Sequence, residues 1–330
     1  MGYSVGIGLT NDCDLNCAHC YRDTETISNL SLAQVKQVCD WLAVDSMGLG
    51  TGENALNPEF DAIVRYLSER GVRLSIASNG YSLMAMPEPI LKQFGDVEVS
   101  IDFPTEAEQD AFRGSGNWAL VHRAIGRCQQ LGIEVSILCT LMSTNFDKMD
   151  QLVALARSRG CNLRVNAYQP VKTHAFRLSY AQFWEGYRGL FAASQVVACS
   201  EPVVRAAMGL ADVQSPCGQR SVRINPRGQI IPCVYWPVAS PDGLTIASLA
   251  WLGATVVNEA AFQAARCVPA LAANCACRGG CASRRALGGN LEAHDEYCPW
   301  VKGDTIRLEW RAAPAKDLIR IGNVCTTIVV

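Results

Sequence analysis

The first half of the chain alternates short apolar runs with longer amphipathic segments. The runs are rich in Val, Ile and Leu and have the length of buried strands; they lie at 4–9, 72–77, 97–101, 134–141 and 162–167. The longer segments carry apolar residues three and four positions apart, which predicts helices at 32–44, 58–70, 118–131 and 146–159. Gly71 and Gly132 follow two of these helices at the position where glycine commonly caps a helix.

This alternation predicts an α/β fold with parallel strands in a closed or partly closed barrel, because a strand that returns through a helix runs parallel to its predecessor. Functional side chains in such barrels gather at the carboxyl ends of the strands. With 330 residues, 49% of them hydrophobic, the chain can bury one sizeable core and carry a second, smaller domain. The closing apolar segment at 321–330 is too short to cross a bilayer and is predicted to form a terminal strand.

Charge and hydropathy argue against several classes of protein. The formal net charge is −2 and long Lys/Arg runs are absent, so we expect no nucleic-acid partner. No apolar stretch reaches the roughly 20 residues of a transmembrane helix, and the chain opens without a secretory signal. We therefore expect a soluble, cytoplasmic protein, in which 16 cysteines indicate metal or redox work rather than disulfides.

Three cysteines lie within eight residues just after the first predicted strand: Cys13, Cys17 and Cys20. Three thiolates can hold an iron-sulfur cluster and leave its fourth iron without a protein ligand, and an open coordination position is where chemistry can take place. Zinc with His19 as a fourth ligand is the alternative, although structural zinc sites usually combine two paired cysteine motifs.

The CxxxCxxC spacing, with an apolar run before it and Tyr21 after it, resembles the signature of the radical S-adenosylmethionine (SAM) superfamily. The resemblance implies a partial (β/α)6 TIM-like barrel, expected over residues 1–200, with a [4Fe-4S] cluster and SAM as cofactors. Enzymes of this family cleave SAM reductively to a 5'-deoxyadenosyl radical, which abstracts hydrogen from a substrate. His19 is implied to lie near the adenine of SAM; a packing role for both His19 and Tyr21 is the alternative.

A glycine-rich stretch with Gly50, Gly52 and Glu53 resembles the family's GGEP-like segment, with Asn54 in place of the proline. Glycines let the backbone approach a ligand closely, and the resemblance implies that Glu53 accepts hydrogen bonds from the ammonium group of SAM. Taken alone, the stretch is equally typical of an ordinary turn.

Two further strand ends resemble motifs of the same family. Ser78 and Asn79 match its SNG turn, and Ser100 and Asp102 match its S-I-D strand end, both of which lie near the ribose and methionine moieties of SAM in that family. Arg113 follows in an RG pair and is implied to bind the SAM carboxylate, which a guanidinium can match with two hydrogen bonds. Turn chemistry at Ser78 and Asn79 and a solvated helix surface at Arg113 are the alternatives.

The second half of the chain is rich in cysteine and resembles the SPASM extension, the auxiliary-cluster domain of peptide-modifying radical SAM enzymes. The matching features are a C…GxxxxC unit that ends at Cys233, a CRGGC block that ends at Cys281, and Cys298 before a proline. We expect this SPASM-like domain at 215–300, after a linker at 201–214 and before a C-terminal tail at 301–330.

The SPASM resemblance implies two auxiliary iron-sulfur clusters. One is expected to have an open or non-cysteine fourth position; its ligands would be Cys217, Cys233 and Cys281. The second is expected to be held by Cys267, Cys275, Cys277 and Cys298. Cys275 departs from the family's spacing and is expected to replace a missing ligand, since a CxC pair can converge on a cluster if the chain bends.

Six cysteines have no place in these sites. Five of them lie in apolar or helical segments and are expected to be buried and unreactive: Cys39, Cys128, Cys139, Cys161 and Cys199. Cys325 could either approach the auxiliary region or lie inert in the terminal strand.

The resemblance implies a radical SAM enzyme that crosslinks, oxidises or epimerises a ribosomally synthesised peptide. The expected partner is an electron donor such as flavodoxin or ferredoxin. Since the chain starts almost at its first strand, a peptide is expected to bind either through a separate leader-peptide-binding protein or by direct contacts. A radical SAM reaction on a small molecule or cofactor precursor is one alternative. A non-catalytic iron-sulfur electron carrier is another, although a three-cysteine site with an open iron argues against it.

Overall fold

A single mixed sheet runs through the molecule. The computed structural model describes residues 2–210, 217–237, 243–272, 275–314 and 325–330. Within this part of the chain there are ten strands: β1 Tyr3–Ile7, β2 Val44–Leu49, β3 Arg73–Ser78, β4 Phe94–Ser100, β5 Val135–Leu141, β6 Asn162–Ala167, β7 Val196–Cys199, β8 Ser221–Ile224, β9 Ile230–Ile231 and β10 Thr327–Val329. Their order across the sheet is β7-β10-β6-β5-β4-β3-β2-β1-β8-β9.

Helices cover the sheet. They are α1 Leu32–Trp41, α2 Phe60–Glu69, α3 Tyr81–Ala85, α4 Glu88–Leu91, α5 Glu106–Arg113, α6 Asn117–Gln130, α7 Met149–Ser158, α8 Tyr180–Ala193, α9 Pro202–Ala207, α10 Leu249–Leu252, α11 Ala260–Arg266 and α12 Ala282–Leu287. Among the described residues, no helix is long and apolar enough to span a membrane. Gly71 and Gly132 follow α2 and α6 with φ of +72° and +73°, which confirms their predicted capping positions.

Strands β1 to β6 are parallel and lie in sequence order, which is the arrangement expected of a partial (β/α)6 barrel. The five predicted strands correspond to β1, β3, β4, β5 and β6. Strand β2 was not among them, because its sequence VDSMGL holds a single β-branched residue and its first position fell inside the helix predicted at 32–44. The helix ends at Trp41, so Val44 is free to start the strand.

The terminal strand confirms the prediction for the closing segment. β10 lies between β6 and β7 and pairs antiparallel with both, so it joins two strands that do not pair with each other directly. On the other side of the barrel, β8 belongs to the cysteine-rich half and pairs in parallel with β1. The sheet therefore continues from the barrel into the cysteine-rich half.

The predicted domain boundaries stay predictions. The predicted linker at 201–214 includes α9, and its residues 211–214 lie outside the described residues. The same is true of 215–216, 238–242 and 273–274 in the predicted SPASM-like domain, and of 315–324 in the predicted tail.

A buried ion network joins the two halves of the chain. Arg284, in α12, pairs with Glu201 and with Asp295, whose Oδ2 lies 2.6 Å from Nη2. All three residues are at most 5% exposed. Phe183 of α8 and Tyr297 also face this guanidinium with their rings, the nearer ring centre being 5.2 Å away. Two carboxylates thus share one cation in a site from which water is excluded.

Arg284→Ala should lower the free energy of unfolding by about 3–5 kcal/mol, because two buried carboxylates would lose their shared cation. Chemical denaturation followed by circular dichroism measures the change. Arg177→Ala is the matched control: its pair with Glu296 is partly exposed to solvent, so its loss should cost less than about 1 kcal/mol. Equal losses in the two variants would contradict a structural role for the buried network.

Candidate cofactor site and cysteine clusters

A cavity of about 830 Å³ lies at the carboxyl ends of the barrel strands. It is lined by nearly all of the residues predicted to bind the cluster and the cofactor in the barrel: Cys13, Cys17, His19, Cys20, Gly50, Gly52, Glu53, Ser78, Asn79, Ser100 and Arg113. Asp102 lies beneath the wall, where it is fully buried. The cavity continues to Tyr235 and Trp236, just past Cys233, and therefore reaches from the barrel to the cysteine-rich half.

The thiols of Cys13, Cys17 and Cys20 share one wall of this cavity. Two nitrogen donors face the sulfur of Cys13: the backbone N–H of Leu15 lies 3.5 Å from it, and Asn79 Nδ2 lies 3.7 Å from it. Burial raises the pKa of Cys13 to about 12 and also raises that of Cys17, so an ionised thiol at either position needs a compensating charge. Bound metal supplies such charge, and N–H groups aimed at sulfur fit thiolate ligands.

The spacing of these three sulfurs bears on zinc as an alternative. Thiolates on one zinc ion lie about 2.3 Å from it, hence no more than about 4.6 Å from one another. The three barrel sulfurs do not all lie within 4.8 Å of one another, whereas those of Cys275, Cys277 and Cys298 do. The wider spacing fits a cluster that spreads its ligands over several irons better than it fits one ion.

The glycine-rich loop passes directly against the cysteine loop. A Cβ on Gly52 would lie 2.5 Å from the carbonyl oxygen of Asp12, and its φ of +65° also favours glycine. This close approach allows the backbone N–H of Glu53 to bond the same oxygen at 2.8 Å. Asn54, which replaces the family's proline, accepts a hydrogen bond from the backbone of Leu9 at 3.1 Å and so ties the loop to the end of β1.

Glu53 organises the turn after β3. Its Oε2 accepts hydrogen bonds from the hydroxyls of Ser78 and Ser82 and from the backbone N–H of Ser82, at 2.9, 2.5 and 3.0 Å. Its Oε1 accepts one from the backbone N–H of Asn79 at 2.5 Å. Burial raises the pKa of this carboxyl, and the four hydrogen bonds oppose that effect. Most of the acceptor capacity of Glu53 is therefore used within the protein, while Oε1 keeps room for one more donor.

Asp102, Arg113 and His19 form a second buried group beside Cys17. The guanidinium of Arg113 binds Asp102 Oδ2 through Nε and Nη2, both at 2.7 Å, and the carbonyl of Arg113 lies 3.9 Å from the sulfur of Cys17. His19 stacks on Phe112 at 4.9 Å between ring centres, with Nε2 at 3.7 Å from Asp102. Burial lowers the pKa of His19, so the neutral imidazole is favoured.

A buried amide network connects these groups, and no pattern in the sequence predicts it. Gln109 Oε1 accepts from the backbone N–H of Asp102 at 3.0 Å, and its Nε2 donates to Asn117 Oδ1 at 2.8 Å. Asn117 in turn donates to the carbonyl of Asn79 at 3.0 Å. The burial of Gln109 and Asn117 could not be predicted from the sequence, because polar residues on helices normally face solvent.

Five buried polar atoms of residues that line the cavity have no hydrogen-bond partner among the described residues. They are His19 Nδ1, Arg164 Nε, Asn166 Oδ1, Gln169 Oε1 and Arg223 Nε. Buried polar groups without partners are rare in native proteins, so the cavity suits a polar ligand. A sequence signal existed for Asn166, because polar residues two positions apart in the apolar run NLRVNA point to one face of a strand.

In the cysteine-rich half, three thiols meet at one point. The sulfur of Cys275 lies 2.8 Å from that of Cys277 and 3.3 Å from that of Cys298, and the last two are 3.0 Å apart. Hydrogen bonds from the Cys277 and Cys298 thiols lower the pKa of Cys275, which fits a thiolate-containing metal site. Cys267, the fourth predicted ligand, is exposed and outside this group.

Cys233 and Cys281 are both buried and interact electrostatically. Cys217 is half-buried. The five cysteines predicted to be structural, Cys39, Cys128, Cys139, Cys161 and Cys199, are buried as expected.

Residues 7–156 match the radical SAM superfamily, the family whose motifs line the cavity. The chain carries a radical SAM domain. This domain implies a [4Fe-4S] cluster and SAM as cofactors. The chain is 28% identical over 172 residues to the mycofactocin maturase MftC of Mycobacterium tuberculosis (strain CDC 1551 / Oshkosh), a match that covers 49% of this chain and 44% of that protein.

A second relative, an S-adenosylmethionine-dependent nucleotide dehydratase of Selenomonas ruminantium, is 29% identical over 173 residues, covering 50% of this chain and 55% of that one. The chain thus spans about half the length of these curated relatives. Among solved structures, native anSMEcpe with bound AdoMet and Cp18Cys peptide has a TM-score of 0.68 at 16% identity, covering 90% of this chain and 94% of that one. This likeness confirms the predicted fold and extends past the radical SAM domain into the cysteine-rich half.

Gly52→Ala should lower the free energy of unfolding by about 2–4 kcal/mol, since an added Cβ meets two backbone carbonyls in a left-handed conformation. Gly50→Ala in the same loop is the control: nothing lies within 4 Å of its Cβ position, so stability should change by less than about 1 kcal/mol. Urea unfolding of the two variants measures the difference. Similar stabilities would show that the loop does not need its close contact with Asp12.

Proposed function

We propose that this protein is a radical SAM enzyme that modifies a peptide. The observation that carries the proposal is the cavity wall on which Cys13, Cys17 and Cys20 lie beside the turn organised by Glu53 and beside Arg113. A soft, three-thiolate donor set next to buried hydrogen-bonding groups suits a cluster and a polar cofactor in contact.

The three thiolates would hold a [4Fe-4S] cluster, and the neighbouring groups would hold SAM. When bound together, this pair of cofactors supplies one-electron cleavage of SAM and hydrogen-atom abstraction from a substrate. Glu53 Oε1, with spare acceptor capacity, would receive the ammonium group of SAM. The Arg113 face left uncovered by Asp102 would meet the SAM carboxylate.

The remaining predicted cofactor residues would shape this site. Ser78, Asn79 and Ser100 would line the ribose and methionine moieties, and Gly50 and Gly52 would allow close approach of the ligand. His19 is already stacked on Phe112, and the part of its ring that Phe112 does not cover would contact the adenine. Asp102 would act through Arg113, which it holds in place.

The cysteine-rich half would hold two auxiliary clusters. One cluster would be held by Cys275, Cys277 and Cys298. Cys267, which is exposed, would move inward on metal binding and become its fourth ligand. Cys217, Cys233 and Cys281 would bind the other cluster. Tyr235, two residues after Cys233, lines the cavity and contacts Tyr21 edge-on at 5.3 Å between ring centres, so this cluster would lie near the cavity and would accept or supply an electron.

A peptide is the substrate that we favour. The likeness to a peptide-bound structure runs over 90% of this chain, including the cysteine-rich half, and the cavity of about 830 Å³ leaves unpaired polar atoms beyond the predicted SAM site. An electron donor such as flavodoxin or ferredoxin and a separate leader-peptide-binding protein would be its partners. A nucleotide-sized small molecule is the second candidate, because the nucleotide dehydratase matches at 29% identity.

The full chain, reconstituted anaerobically with iron and sulfide, should bind about twelve irons and convert SAM with a reductant to 5'-deoxyadenosine. Cys17→Ala should lose about four irons and all nucleoside formation, since a ligand of the barrel cluster is gone. Cys128→Ala, a buried cysteine of α6 outside the cavity, is the matched control and should keep both. Nucleoside formed by the Cys17→Ala variant would contradict the proposed site, and clusters without SAM cleavage would favour an electron carrier.

Cys277→Ala should remove about four irons and leave SAM cleavage by the barrel cluster measurable in the absence of a substrate. Elemental analysis of the wild type and variant measures both iron and zinc. One zinc per chain that disappears in Cys277→Ala would instead identify the Cys275, Cys277 and Cys298 group as a single-ion site.

A further inference from the structure

Cys325 lies among the cysteines of the auxiliary region. Its thiol forms a hydrogen bond with the thiol of Cys281 and interacts electrostatically with Cys217. Cys281 interacts in the same way with Cys233. Cys281 and Cys325 are thus in contact, and Cys217 and Cys233 each lie near one of them, although no three of the four sulfurs lie within 4.8 Å of one another. That spacing suits a multi-iron cluster rather than one ion.

The register of β10 brings Cys325 to this place. Thr326 exchanges hydrogen bonds with Ser200, its N–H donating to Oγ at 3.0 Å and its carbonyl accepting from the Ser200 N–H at 2.8 Å. Glu201 follows Ser200 in the chain and pairs with Arg284, and Arg284 lies three residues after Cys281. A chain of contacts, part-buried at Ser200 and buried at Glu201 and Arg284, thus connects the residue after Cys325 with the helix that Cys281 begins.

Cys281 is held as firmly from its own side. It is the N-cap residue of α12, and its backbone N–H donates to Asp295 Oδ2 at 2.7 Å. Asp295 also binds Arg284, so the network that joins the two halves of the chain sets the position of both thiols. The other buried cysteines outside the predicted clusters, such as Cys128 and Cys161, lie on helices or loops of the barrel layer instead.

We propose that Cys325 is the fourth protein ligand of the auxiliary cluster held by Cys217, Cys233 and Cys281. This inference rests on the proposed auxiliary cluster. It replaces the open or non-cysteine position expected from the sequence with a thiolate from the terminal strand. A cluster with four cysteine ligands has no iron free to bind substrate, so its role is to accept or pass an electron.

The test uses the full chain with Cys13, Cys17 and Cys20 all changed to alanine, so that the proposed open cluster of the barrel contributes no signal. Reconstituted with iron and sulfide, this background should hold about eight irons and, after mild oxidation, show no electron paramagnetic resonance signal of a three-iron cluster. Adding Cys325→Ala should produce that signal, with a loss of about one iron, or remove about four irons if the cluster falls apart.

Cys199→Ser in the same background is the control. Its sulfur lies 3.3 Å from Thr327 Oγ1 in the same strand layer, and serine keeps that hydrogen bond, so iron content and spectrum should not change. Equal melting temperatures by circular dichroism would exclude loss of fold as the cause. In the reconstituted wild type, Cys325 should resist alkylation and become reactive once iron is chelated under non-denaturing conditions.

Unchanged iron and spectrum on adding Cys325→Ala, or a disulfide between Cys281 and Cys325 in the reconstituted protein, would overturn the ligand assignment alone. About four irons in the background, before Cys325 is changed, would contradict the auxiliary-cluster proposal itself. The two failures are therefore distinguishable.

Discussion

Strand β1 is the constraint on which both halves of the molecule depend, because it is hydrogen-bonded on both edges. It pairs in parallel with β2 on the barrel side and with β8 on the cysteine-rich side. The loop with Cys13 follows it directly, and Asn54 bonds the backbone of Leu9 just beyond its end. The position of one strand therefore sets the distance between the barrel thiols and the segment that leads to Cys233.

Periodicity was sufficient to predict most of the barrel. Five of its six parallel strands and the capping glycines follow from local patterns of apolar residues, since a buried parallel strand and an amphipathic helix have distinct periods. β2 was not predicted, because Ser46 and Gly48 are buried by the neighbouring strands and their own side chains do not indicate a buried strand. The position of β10 between β6 and β7 depends on contacts between residues far apart in the chain, so no local pattern predicts it.

The candidate site was predictable where residue type alone implies chemistry, as with three cysteines close together. The hydrogen-bond partners of those residues were not predictable. The sequence predicts that Glu53 and Arg113 bind SAM. In the structure each of them already binds another part of the protein: Glu53 accepts hydrogen bonds from the turn after β3, and Arg113 pairs with Asp102. Such preorganisation reduces the freedom that a ligand must remove on binding, and it depends on amides such as Gln109 whose role appears only in three dimensions.

The placement of β10 has a consequence for the order in which the protein assembles. Cys199 and Thr327 are in contact across 128 residues of chain, so the loop that must close before β7 joins the sheet is long. Contacts of such high sequence separation form slowly, because the entropy of loop closure is lost before the contacts compensate for it. We therefore expect β1 to β6 to fold early and the β6-β10-β7 edge to form late, so that the auxiliary region stays accessible to incoming iron and sulfide until the sheet is complete.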